Sequence, residues 1–223
     1  VLPKGKLNGA QPGDHVSVQM MFYGENGLPP QGAVTAVHGL EGTMEAAVSG
    51  ILRENGIYLQ FAEESERQAA ACGDTVDPAE AARRLDLRDK VIFTIDGDDA
   101  KDFDDAVSLE PLENGHFELG VHIADVSHYV TPGSPLDDEA WRRGTSVYYP
   151  GHVIPMLPFA LSHGICSLNP DVDRLTFSAL MEMDKDGRRY GFRFAKSVIH
   201  SKARMTYHNV NKILDGDPAL REQ

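Results

Sequence analysis

The chain has two cysteines, one tryptophan and no apolar run approaching the ~18 residues of a membrane-spanning helix. Cys72 and Cys166 stand alone, which excludes a disulfide framework and a cysteine-rich zinc site. Buried, reduced thiols and a cytoplasmic compartment are the expectation. No signal peptide is visible, and the chain opens at Val1 rather than methionine, which leaves room for an upstream segment. Repeats and low-complexity tracts are absent. Positive charge is also scarce: 21 Lys and Arg stand against 34 Asp and Glu, a net charge of -13. That balance speaks against binding nucleic acid by general electrostatics. What remains is a folded chain of 223 residues, 41% hydrophobic, able to bury roughly 70% of its unfolded surface.

The negative charge is concentrated. Asp96, Asp98, Asp99, Asp102, Asp104 and Asp105 fall within ten residues, with Lys101 the only cation among them. They follow Val91-Ile92-Phe93-Thr94-Ile95, which reads as a buried strand. So much charge at the end of a core strand is costly unless a cation neutralises it. A solvated acidic loop would suffer less, but the apolar rhythm resumes at Phe103, Ala106, Val107 and Leu109. An extended run from Asp102 would put Asp102 and Asp104 on one face and Asp105 on the other. A kink near Asp105 would return it to its neighbours. Hard oxygen ligands suit Mg²⁺ or Mn²⁺, and no histidine or cysteine lies in the cluster. A catalytic metal site is one reading of this spacing; a calcium or structural loop is the other.

Two rival motifs are testable on paper. An EF-hand begun at Asp96 needs an oxygen ligand, a glycine and a glutamate at its fifth, sixth and twelfth positions. The chain has Ala100, Lys101 and Val107 there. An aspartyl-phosphate phosphatase also opens on a buried strand and an Asp-x-Asp pair, here Asp96-Gly97-Asp98. The strand-rich sequence that follows lacks the alternating helices of a doubly wound sheet, which leaves this a distant alternative.

Between Gly187 and Lys212 lie seven basic residues (Arg188, Arg189, Arg193, Lys196, Lys202, Arg204, Lys212) and no acidic one. They could hold a polyanion beside an acidic metal centre, or form the outer face of a strand. His122 and His128 flank Asp125, yet a strand histidine is more often a satisfied interior group. Asp137-Asp138-Glu139 suits the positive end of a helix.

Element signals divide the chain near residue 88. Before it, Val16-Ser17-Val18, Ala33 to Val37 and Ile57 to Phe61 read as short strands, with Asn55-Gly56 as a hairpin turn. Ala62 to Ala71 reads as a helix, and Asp77-Pro78-Ala79-Glu80 starts another, Glu80 reaching back to the cap. After it, strands are expected over Val91–Asp96, Asp104–Leu109 and Phe117–Val126. Ser134-Pro135 starts a helix that Gly144 stops. Ser178–Asp184 and Tyr190–His200 form a hairpin, and Thr206 caps a last helix through Leu214. The fold class is α+β with mainly antiparallel strands.

The run Thr94-Ile95-Asp96-Gly97-Asp98-Asp99-Ala100-Lys101-Asp102-Phe103-Asp104-Asp105-Ala106-Val107 closely resembles the signature of the ribonuclease II superfamily catalytic domain, the RNB domain. Its Gly-acid-Asp-Ala insert is nearer the ribonuclease R branch. The resemblance continues through His122–Val130, Ser146–Pro150, Val153–Pro158, Leu161–Leu175 and Ser201–Tyr207, and so covers about 89–223. Residues 1–88 resemble the end of a cold-shock/OB-like barrel plus connecting helices.

The resemblance implies processive 3′→5′ hydrolysis of single-stranded RNA from its 3′ end, with Mg²⁺ (Mn²⁺ possible), to nucleoside 5′-monophosphates. By motif position Asp96, Asp102, Asp104 and Asp105 match the family's four active-site aspartates. Asp104 is the one most directly required, Asp102 acts with it, and Asp98 and Asp99 lie outside the ligand set. Tyr148 matches the aromatic residue that stacks near the 3′-terminal bases. From the residues alone it reads as a core or turn aromatic. The family's catalytic domain is expected to continue well past Gln223, with a later arginine, an aromatic partner for Tyr148 and an S1 barrel. The chain therefore resembles a fragment, and a non-catalytic RNA- or metal-binding piece is the alternative function.

Overall fold

The computed structural model describes residues 1–149 and 151–221, and the chain falls into two units, Val1–Gln60 and Phe61–Gln223. The first is built on an antiparallel hairpin, β1 (Asp14–Phe22) and β2 (Gln31–Leu40), followed by helix α1 (Met44–Glu54). Thr43 caps α1 by accepting the Ala46 N–H at 3.2 Å. His38 fixes the helix to the hairpin, its ring 2.8 Å from both Ser17 Oγ and Ser49 Oγ.

Here the structure departs from the expected hairpin at Asn55-Gly56 and strand at Ile57–Phe61, which is not a strand. Asn55 ends α1, and Gly56 sits at φ +69° with its N–H on Arg53 O; the Ile57 N–H then reaches back to Leu52 O at 2.8 Å. An Asn-Gly pair supplies the left-handed residue that a tight hairpin needs, and a helix C-terminus needs the same conformation.

The second unit opens with α2 (Glu63–Ala71) and α3 (Pro78–Ala81), then β3 (Leu85–Asp86), β4 (Ile92–Asp96), β5 (Asp105–Pro111) and β6 (Phe117–Ala124). Next come α4 (Val126–Tyr129), α5 (Pro135–Arg143) and the small pair β7 (Val147–Tyr149) and β8 (His152–Ile154). The long hairpin β9 (Asp173–Met183) and β10 (Arg189–His200), then β11 (Ala203–Thr206), α6 (Tyr207–Leu214) and α7 (Pro218–Arg221) complete it. Seven strands form one sheet in the order β11-β4-β5-β6-β9-β10-β3, antiparallel except for the two edge pairs β11–β4 and β10–β3. The α+β class with mainly antiparallel strands is what the structure shows.

The local capping signals act as their chemistry requires. Asp77 accepts from Ala79 N at 2.9 Å, Ser134 from Asp137 N at 3.2 Å and Thr206 from Asn209 N at 3.1 Å. Glu80 does not reach back to the cap of α3. It turns forward to Arg83 and Arg84, at 2.6 and 2.8 Å, because Arg84 is a buried cation that also needs Asp125 at 2.7 Å. Pro218 begins the short α7.

One core cluster lies against the sheet and includes Ile92, Phe103, Ala106, Leu168, Leu180 and Ile199. A second joins α2 and α5 to the 160–165 turn through Ala69, Leu136, Leu161, Ile165 and Cys166. Within the sheet His122 is fully buried, its ring 3.0 Å from Ser108 Oγ and 2.7 Å from Ser178 Oγ. It is an interior histidine with both nitrogens satisfied. Gly120 makes room for it: a Cβ there would lie 2.3 Å from Ser108 Oγ and 2.7 Å from His122 Nε2.

Two stability tests follow. Gly120→Ala should cost about 1–3 kcal/mol in chemical denaturation, since it overpacks a closed site; a neutral result would contradict the packing described. Burial, with Lys90 nearby, pushes the His122 imidazole from 6.5 down to about 4. Between those values the unfolded chain binds a proton that the folded chain refuses, so stability is lost as pH falls from about 6.5 to about 4. The size is about 3 kcal/mol, from the width of that interval. Thermal melts of wild type and His122→Gln should therefore converge across this window. A constant difference between them would count against a neutral, buried imidazole.

Candidate metal centre

Strand β4 ends at Asp96, and β5 begins at Asp105; the acidic residues between them form the connection. The strand expected from Asp104 joins the ladder at Asp105, and 101–104 lie off it. Ser167 is the cause. Its Oγ accepts the Phe103 N–H at 3.0 Å and is 3.2 Å from Lys101 O, while the Leu168 N–H reaches Phe103 O at 2.9 Å. The Ala124 N–H takes Asp104 O at 3.0 Å. Phe103 is thereby drawn into the core, 5% exposed, and the carboxylates on either side of it turn outward. Arg174, itself buried, holds the Ser167 carbonyl at 2.8 Å.

The charges of Asp96, Asp102 and Asp105 are all felt at Asp104, the fourth aspartate matched by motif. Asp104 has exposed surface but enough surrounding protein to lose part of its hydration. That loss, then the charges of Asp102, Asp105 and Asp96, push its carboxyl above the usual range. Asp96 is shifted the same way, first by burial and also by Asp105 and Asp102, with the Thr94 hydroxyl and Arg204 opposing. Its Oδ2 is buried and without a hydrogen-bond partner among the described residues. Asp98 and Asp99 are exposed.

Among the described residues no three His, Cys, Asp or Glu side chains stand close enough to hold a metal ion as they are arranged. The donor set still fits a hard divalent cation: it is all carboxylate oxygen, it contains an orphaned buried oxygen at Asp96, and two of its members are driven toward protonation.

Tyr148 lies on β7, opposite Val153 of β8. It is no core aromatic: it is 68% exposed, and its hydroxyl donates to Asp102 Oδ2 at 3.1 Å. The small β7–β8 pair thus brings an open ring to the edge of the acidic site. Pro150, in the same motif, lies outside the described residues.

Most of the basic stretch is engaged with the protein. Arg193 faces Glu118 at 3.7 Å, Lys196 faces Asp125 at 3.6 Å, and Lys202 donates to Arg88 O at 2.9 Å. Arg204 donates through Nη2 to Gly97 O at 3.0 Å and Asp98 O at 2.6 Å. Residue-by-residue reading gave no role to Ser167, Arg174 or Arg204. Only the acid-free run of basic residues hinted at Arg204, and nothing local indicated its target.

Residues 84–223 match the RNB domain family, and residues 1–62 match the Cold shock domain family. Ribonuclease R 1 of Lactococcus lactis is 47% identical over 209 residues, 93% of this chain and 26% of that protein. Ribonuclease R of Thermotoga maritima is 47% identical over 218 residues, 97% of this chain and 31% of its own length. Among solved structures, Mycoplasma genitalium RNase R in complex with ribose methylated single-stranded RNA superposes with a TM-score of 0.86 at 30% identity. That match covers 96% of this chain and 34% of the other. The chain thus spans about a third or less of the length of these relatives. Because the RNB match takes in well over half of its residues, the protein belongs to the RNB domain family.

Proposed function

We propose that this chain carries the metal-binding half of a 3′→5′ exoribonuclease site, which degrades single-stranded RNA from its 3′ end to nucleoside 5′-monophosphates. The observation that supports the reading is that Asp96, Asp102, Asp104 and Asp105 lie along the end of β4, its connection and the start of β5, inside the RNB match, with the other three charges bearing on Asp104. Relatives at 47% identity bear the name ribonuclease R, and the Mycoplasma protein was solved with single-stranded RNA. A cytoplasmic setting goes with this reading, and Cys72 and Cys166 are both free thiols.

The four aspartates would hold Mg²⁺ or Mn²⁺, with Asp104 central because the other three charges bear on it. The bound ion would supply a nucleophilic water at neutral pH and offset charge developing on the phosphate. The chain's own residues prepare the place. Phe103, buried between Asp102 and Asp104, anchors the two carboxylates, and Ser167 fixes the backbone beneath them. The exposed Tyr148 ring offers a stacking surface beside Asp102, a contact that tolerates any base.

A second reading, a binding piece without catalysis, is favoured by the absence of a ready three-carboxylate group among the described residues. The two are separated by incubating the folded chain with 5′-labelled single-stranded RNA and Mg²⁺. The catalytic reading expects progressive 3′ shortening that Asp104→Asn reduces at least about a hundredfold. Intact RNA with a folded chain would favour the binding piece, and cleavage surviving in Asp104→Asn would refute the site.

Tyr148 admits a separate test. Tyr148→Ala should weaken RNA binding by about 1–3 kcal/mol, whereas Tyr148→Phe, which keeps the ring and loses the bond to Asp102, should bind nearly as wild type. Equal losses in both variants, measured by fluorescence anisotropy with single-stranded RNA, would count against stacking.

A further inference from the structure

We propose that Arg204 is a positioning residue for the acidic loop: its guanidinium ties the carbonyls of Gly97 and Asp98 to strand β11, which sets the loop in the form that collects a divalent cation. The inference rests on the metal-site reading above and extends it to a residue outside the aspartate cluster.

Three observations point the same way. Strand β11 pairs in parallel with β4 at the sheet edge, and the register puts Arg204 beside Thr94 and Thr206 beside Asp96. Arg204 is therefore carried to the point where β4 stops and the acidic connection begins. From there one nitrogen, Nη2, bridges two successive carbonyls, 3.0 Å to Gly97 and 2.6 Å to Asp98. The guanidinium carbon also lies 5.3 Å from the Phe103 ring centroid, so the cation touches both arms of the loop, one before and one after Lys101.

The arrangement has a physical purpose. A connection bearing six aspartates tends to spread, because every carboxylate repels the others and little else holds the backbone. Gly97 has open space around its Cα, so side-chain packing does not hold the backbone there. Ser167 fixes only the second arm, at Lys101 and Phe103. Arg204 supplies the missing restraint on the first arm. It lowers the local negative potential near Asp96 while its own hydrogen bonds go to the Gly97 and Asp98 carbonyls. A lysine would keep the charge, but its ammonium is a compact point charge without the flat face that the guanidinium sets against the Phe103 ring.

The test uses the 223-residue chain and Mn²⁺ alone as the probe. Mn²⁺ affinity is read by electron paramagnetic resonance for wild type, Arg204→Lys and Arg204→Ala. In parallel, amide exchange of the metal-free proteins is followed at Ala100, whose N–H donates to Gly97 O at 3.1 Å, and at Ile199 in the core. Positioning predicts that both variants bind Mn²⁺ about tenfold more weakly and lose protection at Ala100, while Ile199 exchanges as in wild type. Wild-type Mn²⁺ affinity or unchanged Ala100 protection in Arg204→Lys would overturn the role, since charge alone would then suffice. Loss of Ile199 protection in Arg204→Lys would also overturn it, as a general folding role. A wild-type chain that binds no Mn²⁺ would instead bring down the metal-site reading, and this inference with it.

Discussion

Mutual repulsion among carboxylates on one short connection is the constraint that organises this protein. Left alone, the segment between β4 and β5 would extend into solvent and separate its charges. It is held by neutral and cationic groups brought from far along the chain. Ser167 ties down Lys101 and Phe103, Leu168 bonds Phe103 O, and Arg204 bridges Gly97 and Asp98. The burial of Phe103 is the apolar part of the same arrangement, since a hydrophobic side chain among acids gives the loop something to gain by folding back.

The sheet exists, in this view, to deliver those restraints. Its antiparallel centre sets β5 next to β6, and β9 leads out of the turn that holds Ser167 and Leu168. The parallel edge strand β11 brings Arg204 alongside β4. The interior behind them is unusually polar, with His122, Ser108, Ser178, Ser197 and Thr176 buried in one hydrogen-bonded network. A fully satisfied network of this kind favours one strand register over its neighbours, because a slip would leave several buried hydroxyls unpaired. A fixed register at this level sets where β4 ends at Asp96 and where β5 begins at Asp105.

How much of this was legible in the amino-acid order depends on the range of the interaction. Caps at Asp77, Ser134 and Thr206 depend on bonds spanning two or three residues, and all form where expected. Asn55-Gly56 misled because one backbone conformation serves both hairpins and helix ends, and with it α1 escaped notice. Gly50 inside that helix disguised it further; the glycine is there because a Cβ would lie 2.9 Å from His15 Cε1. The four aspartates stand out as a group by their motif, which spans only ten residues at the ends of β4 and β5. Their supports were invisible: Ser167 is 64 residues from Phe103, and Arg204 is 106 from Asp98. The path over 101–104, off the sheet ladder, is the visible consequence of those distant partners.

The account stands or falls on where a divalent cation binds. Crystals of the chain soaked in Mn²⁺ and measured at an anomalous wavelength would show this directly. The account predicts a peak between β4 and β5, within about 2.0–2.3 Å of carboxylate oxygens that include Asp104. A fully occupied peak elsewhere, or none at this connection at saturating Mn²⁺, would contradict it.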